Sequence, residues 1–347
     1  MTEKHIKPHI VVSTDLALGD DYGAVMALCA YAAINKNPLS FIGTFGDRSA
    51  KEASDNLALV VPRLWNQLGQ PEETLPGIYM GADRPIGSTV SFEIPDDDIS
   101  RIIHGEFERT QEDKPAKIES SEKLVKTLIK SNIPVALLSI GAPTEAANLT
   151  ESLGSLIHIS VAMLGEMGTQ GNVNGNREAN ASRDPKANIK LLEESGKAKI
   201  PFTLVPLETT EKPGFLIDRK MTEELEKELG KNSYAFQELM TIIGPDSPYG
   251  GFYLKSTKDK NREPYTEDVD YGGVVLHDLT ATMTLIDLLK NGRPRLLKNR
   301  KYKRVGANTL GNIFKAREYM DHFIVDIAGS RTKHFWPETI SLLKHYK

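Results

Sequence analysis

Cysteine is nearly missing from this chain of 347 residues: the single one, Cys29, leaves no partner for an internal disulfide and suits a reducing compartment. It sits inside the apolar run GAVMALCAYAA, where a small buried side chain is the plain reading. Long hydrophobic runs are missing too, since no stretch approaches the ~18 uninterrupted apolar residues of a membrane span. The opening MTEKHIKPHIVV has no signal-peptide core and runs directly into a strand pattern. Nor is there a surplus of positive charge. Lysine plus arginine number 43 against 47 aspartates and glutamates, a net −4, which argues against a surface built to neutralise a phosphate backbone. HExxH, CxxC and P-loop patterns do not occur, which removes the commonest zinc, redox and nucleotide-phosphate signatures. The expectation is a soluble, cytoplasmic protein with neither a membrane nor a nucleic-acid partner.

What is present is ordinary globular chemistry, 39% apolar and 26% charged, in a chain long enough for one large α/β domain or two ordinary ones. No internal repeat and no compositional break appears, so residues 1–347 are read as a single domain. Short apolar runs alternate with helical patterns. Strands are expected at His9–Ser13, Leu39–Phe45, Pro134–Ile140, Ile157–Leu164 and Pro201–Pro206. Helices are expected at Asp21–Ile34, Lys51–Gln67, Thr144–Leu153 and Asp184–Glu194. That alternation implies βαβ units: a mostly parallel central sheet flanked by helices. Two segments break the rhythm, 88–121 and 245–273, and loops that long are usually lids or insertions. The second offers Tyr249, Phe252, Tyr253 and Tyr265, to stack on a flat ligand or simply to pack the loop.

The informative stretch is STDLALGDDYGA, Ser13–Ala24, which follows the first strand and opens the first helix. It therefore lies at the carboxyl edge of the sheet, where open α/β proteins bind ligands. Asp15, Asp20 and Asp21 fall within seven residues, and such crowding is costly without a cation or a helix N-terminus nearby. Capping would account for Asp20 and Asp21 but leaves Asp15 over. An all-oxygen set suits calcium or magnesium rather than zinc. Other strand ends add to the edge: SIGAPTEAANL after the PVALLSI strand, and the polar loop Gly165–Asp184, whose amides and Glu178 suit a sugar's hydroxyls. LHD at Leu276–Asp278 opens a later apolar helix; it reads either as an N-cap beside a surface histidine or as an acid next to a metal anchor.

These segments together resemble the inosine–uridine-preferring nucleoside hydrolase family, which opens with a DTDxGxDD-type motif before a helix. GTFGD (Gly43–Asp47), GADRP (Gly81–Pro85), IHG (Ile103–Gly105), SIGAPTEAA, EANASRDPKA (Glu178–Ala187), LHD and HFWPETISLL (His334–Leu343) are similar to the family's further segments, in the family's order and over nearly the whole length. The resemblance implies a nucleoside hydrolase-like α/β fold and a homodimer or homotetramer. It implies calcium held by Asp15, Asp21, Asp278 and the carbonyl of Ile140. Asp15 would also deprotonate the attacking water, calcium acidifying water too weakly to act without a carboxylate base. Asp20, Asn172, Glu178 and Asn180 would hold the ribose. Asp47, near the ion, and His104 would also bind substrate, and His277 would protonate the departing base.

Four features depart from the family pattern. Ser13 stands where its first aspartate is usual, Asp47 where asparagine is usual and Ala179 where phenylalanine is usual, and the spacer LALG is one residue longer. The expected activity is calcium-dependent hydrolysis of the N-glycosidic bond of a ribonucleoside or related ribosyl compound, giving free base and ribose. The alternative carried beside it is a weakened relative that binds such ligands without turnover. An aspartate-nucleophile phosphatase is disfavoured, because Ser13 cannot serve as its nucleophile.

Overall fold

The computed structural model describes residues 7–92, 104–111, 113–166, 171–173, 177–256, 273–292, 298–302, 305–307, 313–315, 322–326 and 334–347. Its centre is a nine-stranded sheet. The strands β1 (His9–Thr14), β2 (Leu39–Gly43), β3 (Gly77–Met80), β4 (Ile118–Ser120), β5 (Val135–Ser139), β6 (Ile157–Met163) and β7 (Phe202–Val205) come first in the chain. Two short strands, β8 (Leu216–Ile217) and β9 (Val274–Val275), pair with each other apart from it. Of the last four, β10 (Lys298–Tyr302) and β13 (His322–Asp326) join the main sheet, while β11 (Val305–Ala307) and β12 (Ile313–Lys315) form their own ribbon. The main order is β10-β13-β7-β6-β5-β1-β2-β3-β4. Only β10 runs antiparallel to its neighbour.

Continuous apolar strands follow from burial on both faces. Side chains alternate, so Ile10 and Val12, Ala136 and Leu138, and Val161 and Met163 enter one core, while Val11, Val135, Leu137 and Ala162 enter the other. The first core is closed by helices α1 (Asp20–Asn35) and α2 (Ala50–Gln67). The second is closed by α3 (Ser121–Ser131), α4 (Thr144–Leu153) and, beyond the short α5 (Ala179–Arg183), by α6 (Pro185–Lys197). The carboxyl-terminal half adds α7 (Leu207–Thr210), α8 (Arg219–Leu229), α9 (Tyr234–Ile243), α10 (Pro248–Ser256), α11 (His277–Asn291) and α12 (Phe335–Leu343). Helix α1 is buried from Asp20 through Ala32, which is why it reads apolar all round instead of amphipathic.

Expected and observed boundaries differ by a few residues at most for the five strands and four helices expected from sequence. The two irregular segments contain more structure than expected. β4 lies inside the first, and α10 occupies the start of the second, with Tyr249 buried and its hydroxyl donating to the Val275 carbonyl at 2.8 Å. Tyr249 is thus core, not a stacking surface. Tyr265 and the side chain of Tyr253 lie outside the described residues.

Candidate functional site

From β1 the chain builds outward through β2, β3 and β4 on one side and, later, through β5, β6 and β7 on the other. The strand order therefore reverses between β1 and β5, the place where an open parallel sheet leaves a crevice at its carboxyl edge. Asp15 follows β1 there, Asp47 follows β2 and Gly141 follows β5. Asp20 and Asp21 occupy the first turn of α1, and His277 and Asp278 that of α11.

Capping does not explain these aspartates. Gly19 is the N-cap of α1 and Leu276 that of α11, and neither helix has a side-chain cap. The carboxylates of Asp20, Asp21 and Asp278 instead converge, with one oxygen of each within 4.8 Å of the others. All three are buried. Full ionisation would cost about 3 kcal/mol per pair at an effective dielectric of 20, which over three pairs approaches the whole stability of a domain. The group therefore holds protons or a cation. Burial first, then Asp20, pushes Asp21 up to about 7. Burial, then Asp20, Asp21 and Asp15, raises Asp278 well above the usual carboxylate range. Burial would also raise Asp20, but the neighbouring imidazoles, His104 and His277, hold it low. Thr14 donates its hydroxyl to Asp21 at 2.5 Å. This all-oxygen, water-poor donor set fits a hard divalent cation.

Asp15 stands beside that trio, not in it. Its Oδ2 accepts the Asp47 backbone N–H, and its carboxylate is wedged between two glycines. A Cβ at Gly46 would lie 1.8 Å from Oδ2, and one at Gly141 would lie 2.6 Å from Oδ1. Burial first, then Asp21 and Asp47, raises its pKa well above normal. Ile140, buried, donates its backbone N–H to the Ser13 carbonyl and so brings the β5 turn against the β1 end. The Ser13 hydroxyl is buried without a hydrogen-bond partner.

His104 forms the opposite wall. Its Nε2 lies 3.8 Å from Asp20 and its Nδ1 3.3 Å from Asp47. Burial alone would lower its pKa, yet Asp47 and Asp20 overcome that and lift it to about 9. His277, expected as a surface group in one reading, is buried, with Nδ1 2.5 Å from the Thr210 hydroxyl. Burial pushes its pKa below the usual value. The neighbouring carboxylates thus favour the charged form of His104, while burial disfavours it at His277. Asp47 is also met by Arg183 at 3.4 Å, whose guanidinium lies 5.3 Å from the Phe92 ring centre.

Of the expected ribose-holding residues, Asp20 lies in the carboxylate trio, while Glu178, Asn172 and Asn180 bond through their side chains to backbone. Glu178 caps α5: Oε1 accepts from Asn180, and Oε2 accepts from Gly165 and Ala181. Burial raises Glu178 to about 7 despite those bonds. Asn172 is exposed and accepts from the Ala179 N–H at 2.9 Å, and the Asn180 amide reaches the Met163 carbonyl at 3.3 Å. Sequence reasoning missed Thr14, Arg48, Arg183, Thr210 and the buried Glu166, whose carboxylate accepts the Glu178 N–H at 3.0 Å. Arg183 stood inside a quoted motif and Glu166 inside the polar loop, so both carried a signal. Arg48 carried none, because a buried arginine bonded to carbonyls has no pattern in sequence.

The family profile described as inosine-uridine preferring nucleoside hydrolase matches residues 10–333 of this chain. No curated protein sequence matches it significantly. Among solved structures it is similar to a purine-preferring ribonucleoside hydrolase from Gardnerella vaginalis, at TM-score 0.71 and 21% identity over 97% of this chain and 99% of that one. It is similar to an inosine-uridine preferring nucleoside hydrolase from Bacillus anthracis at TM-score 0.62 and 17% identity, again over 97% and 99%. The type III effector protein XopQ, solved with adenosine diphosphate ribose, gives TM-score 0.63 and 12% identity over 99% and 95%. At these identities the likeness establishes the shared fold.

Proposed function

Because the chain belongs to the inosine-uridine preferring nucleoside hydrolase family, and is thereby a hydrolase acting on N-glycosyl bonds, we propose that it cleaves ribonucleosides or related ribosyl compounds in a calcium-dependent reaction. The observation that supports this most is the convergence of three buried carboxylates at the switch point of the sheet. Asp21 and Asp278 would hold the cation, with Asp20 in the same group and Asp15 and the Ile140 carbonyl on the neighbouring strand ends. The chemistry such a cation supplies when bound is acidification of water and a grip on ribose hydroxyls. The larger ribosyl ligand of the XopQ structure is why the substrate class is kept wider than free nucleosides.

The protein's own groups divide the remaining work. Asp15, with its raised proton affinity, takes the proton of the attacking water. Buried carboxylates around the sugar stabilise the positive charge that grows on it as the glycosidic bond lengthens. His104, fixed between Asp20 and Asp47, carries a proton that can pass to the departing base, with His277 beside the same carboxylates. Asn172, Glu178 and Asn180 belong to the wall that would receive the ribose, and Glu178 also holds that wall in shape. A homodimer or homotetramer in the cytoplasm belongs to the same reading.

Asp15→Ala tests the assignment. Turnover should fall by about 10³-fold or more, in the range of losing a general base, while ligand-induced thermal stabilisation survives in part. If turnover persists within tenfold, Asp15 is not the base.

A further inference from the structure

One buried cation in the wall of the site takes no part in the chemistry above. Arg48, on the loop between β2 and α2, is 4% exposed. Its Nη1 donates to the Asp47 carbonyl at 2.9 Å, and its Nη2 to the carbonyls of His104 at 2.8 Å and Gly105 at 3.2 Å. These three bonds address backbone, and two of them address the segment that carries His104. A planar fork with five donors can serve several carbonyls at once, which a lysine ammonium on its flexible stem does poorly. Burying a guanidinium against neutral carbonyls is expensive, so a residue kept there does something that an apolar filler would not.

The same segment is tied from its other side. Leu18 and Gly105 exchange backbone hydrogen bonds at 3.3 and 3.2 Å, and Leu18 belongs to the LALG spacer that is one residue longer than the family's common form. The His104 ring then covers Gly19, where an added Cβ would lie 2.3 Å from it. It packs against Tyr249 with ring centres 5.2 Å apart.

We infer that Arg48 is a positioning residue, which holds the His104 segment by its two carbonyls and so keeps the imidazole fixed between Asp20 and Asp47. The wall of the site is built before substrate arrives, and binding need not order it. The kinetic consequence rests on the proposed role of His104, but the structural claim does not.

The test separates the two. Diethyl pyrocarbonate modifies accessible histidines, and peptide mass spectrometry reads each site in the calcium-equilibrated full chain. In R48A the modification of His104 should run about ten-fold faster or more than in the wild type, the scale set by losing charge-assisted hydrogen bonds. R48K should fall between, and it carries the test if R48A does not fold. His277, also buried, should react at its wild-type rate. An unchanged His104 rate overturns the inference, as does a parallel rise at His277, which would mean general loosening. Where turnover is measured, R48A should lower kcat with little change in KM, and adding it to H104A should lower kcat no further. Full additivity overturns positioning. If no nucleoside is cleaved at all, the hydrolytic reading fails while the modification rates still decide the role of Arg48.

Discussion

Replacing Gly46 by alanine should disable Asp15 while leaving every candidate polar group chemically intact. The new Cβ would sit 1.8 Å from Asp15 Oδ2 and 2.5 Å from its Cγ, against the 3.4 Å at which ordinary contact begins. The carboxylate must therefore retreat by more than an ångström. It cannot retreat freely, because Gly141 hems its other oxygen and the Asp47 N–H bond fixes Oδ2. Misplacing a reacting group by about 1 Å costs on the order of 10²-fold in rate. Overpacking a buried site costs roughly 1–3 kcal/mol, which a domain with about 5–15 kcal/mol of stability survives. The assay is kcat and KM for the best ribosyl substrate, with the melting temperature measured on the same preparation. G46A should fold, keep KM within a few-fold and lose about 10²-fold in kcat, approaching D15N. A folded G46A with kcat within about threefold of wild type would refute the placement of Asp15 in the chemistry.

Stability without metal should depend on pH in a definite sense. Asp21 and Glu178, raised to about 7, and His104, raised to about 9, bind protons more tightly folded than unfolded. Their contribution is therefore complete at low pH and lost as pH rises through those values. The chelated protein should melt progressively lower from about pH 4, where the unfolded carboxylates ionise, to about pH 9, and calcium should flatten that slope; a flat chelated profile would contradict the carboxylate electrostatics. Glu178→Ala strands the N–H groups of Gly165 and Ala181 and should cost about 1–3 kcal/mol, visible as a lower denaturation midpoint. Asp218→Ala removes the cap of α8, where the side chain accepts from Met221 at 2.7 Å; it should cost about 1 kcal/mol with turnover unchanged.

The parts of the fold legible in sequence are those where one force dominates. HIVVS and PVALLSI read as strands because both faces are buried. The half-exposed edge strand IES at Ile118–Ser120 does not, since its three residues carry no period. Helix α3 hid beside the charge-rich segment, although its SEKLVKTLIKS buries Leu124 and Leu128 at helical spacing. At the site, the sequence located the edge and the aspartates but not how their side chains turn. Asp20, assigned to the sugar, joins Asp21 and Asp278, while Asp15 swings to the Asp47 amide. Glu178 was readable as a polar loop residue, but its further bond to the Gly165 N–H depends on the path of a distant segment, which no local pattern encodes.

The most direct test of the central claim is release of free base and reducing sugar from a panel of ribonucleosides and larger ribosyl compounds, with calcium and then with a chelator. Release that the chelator abolishes and calcium restores is the predicted result. Absence of release from every compound in the calcium-loaded protein would contradict it, as would release indifferent to the chelator.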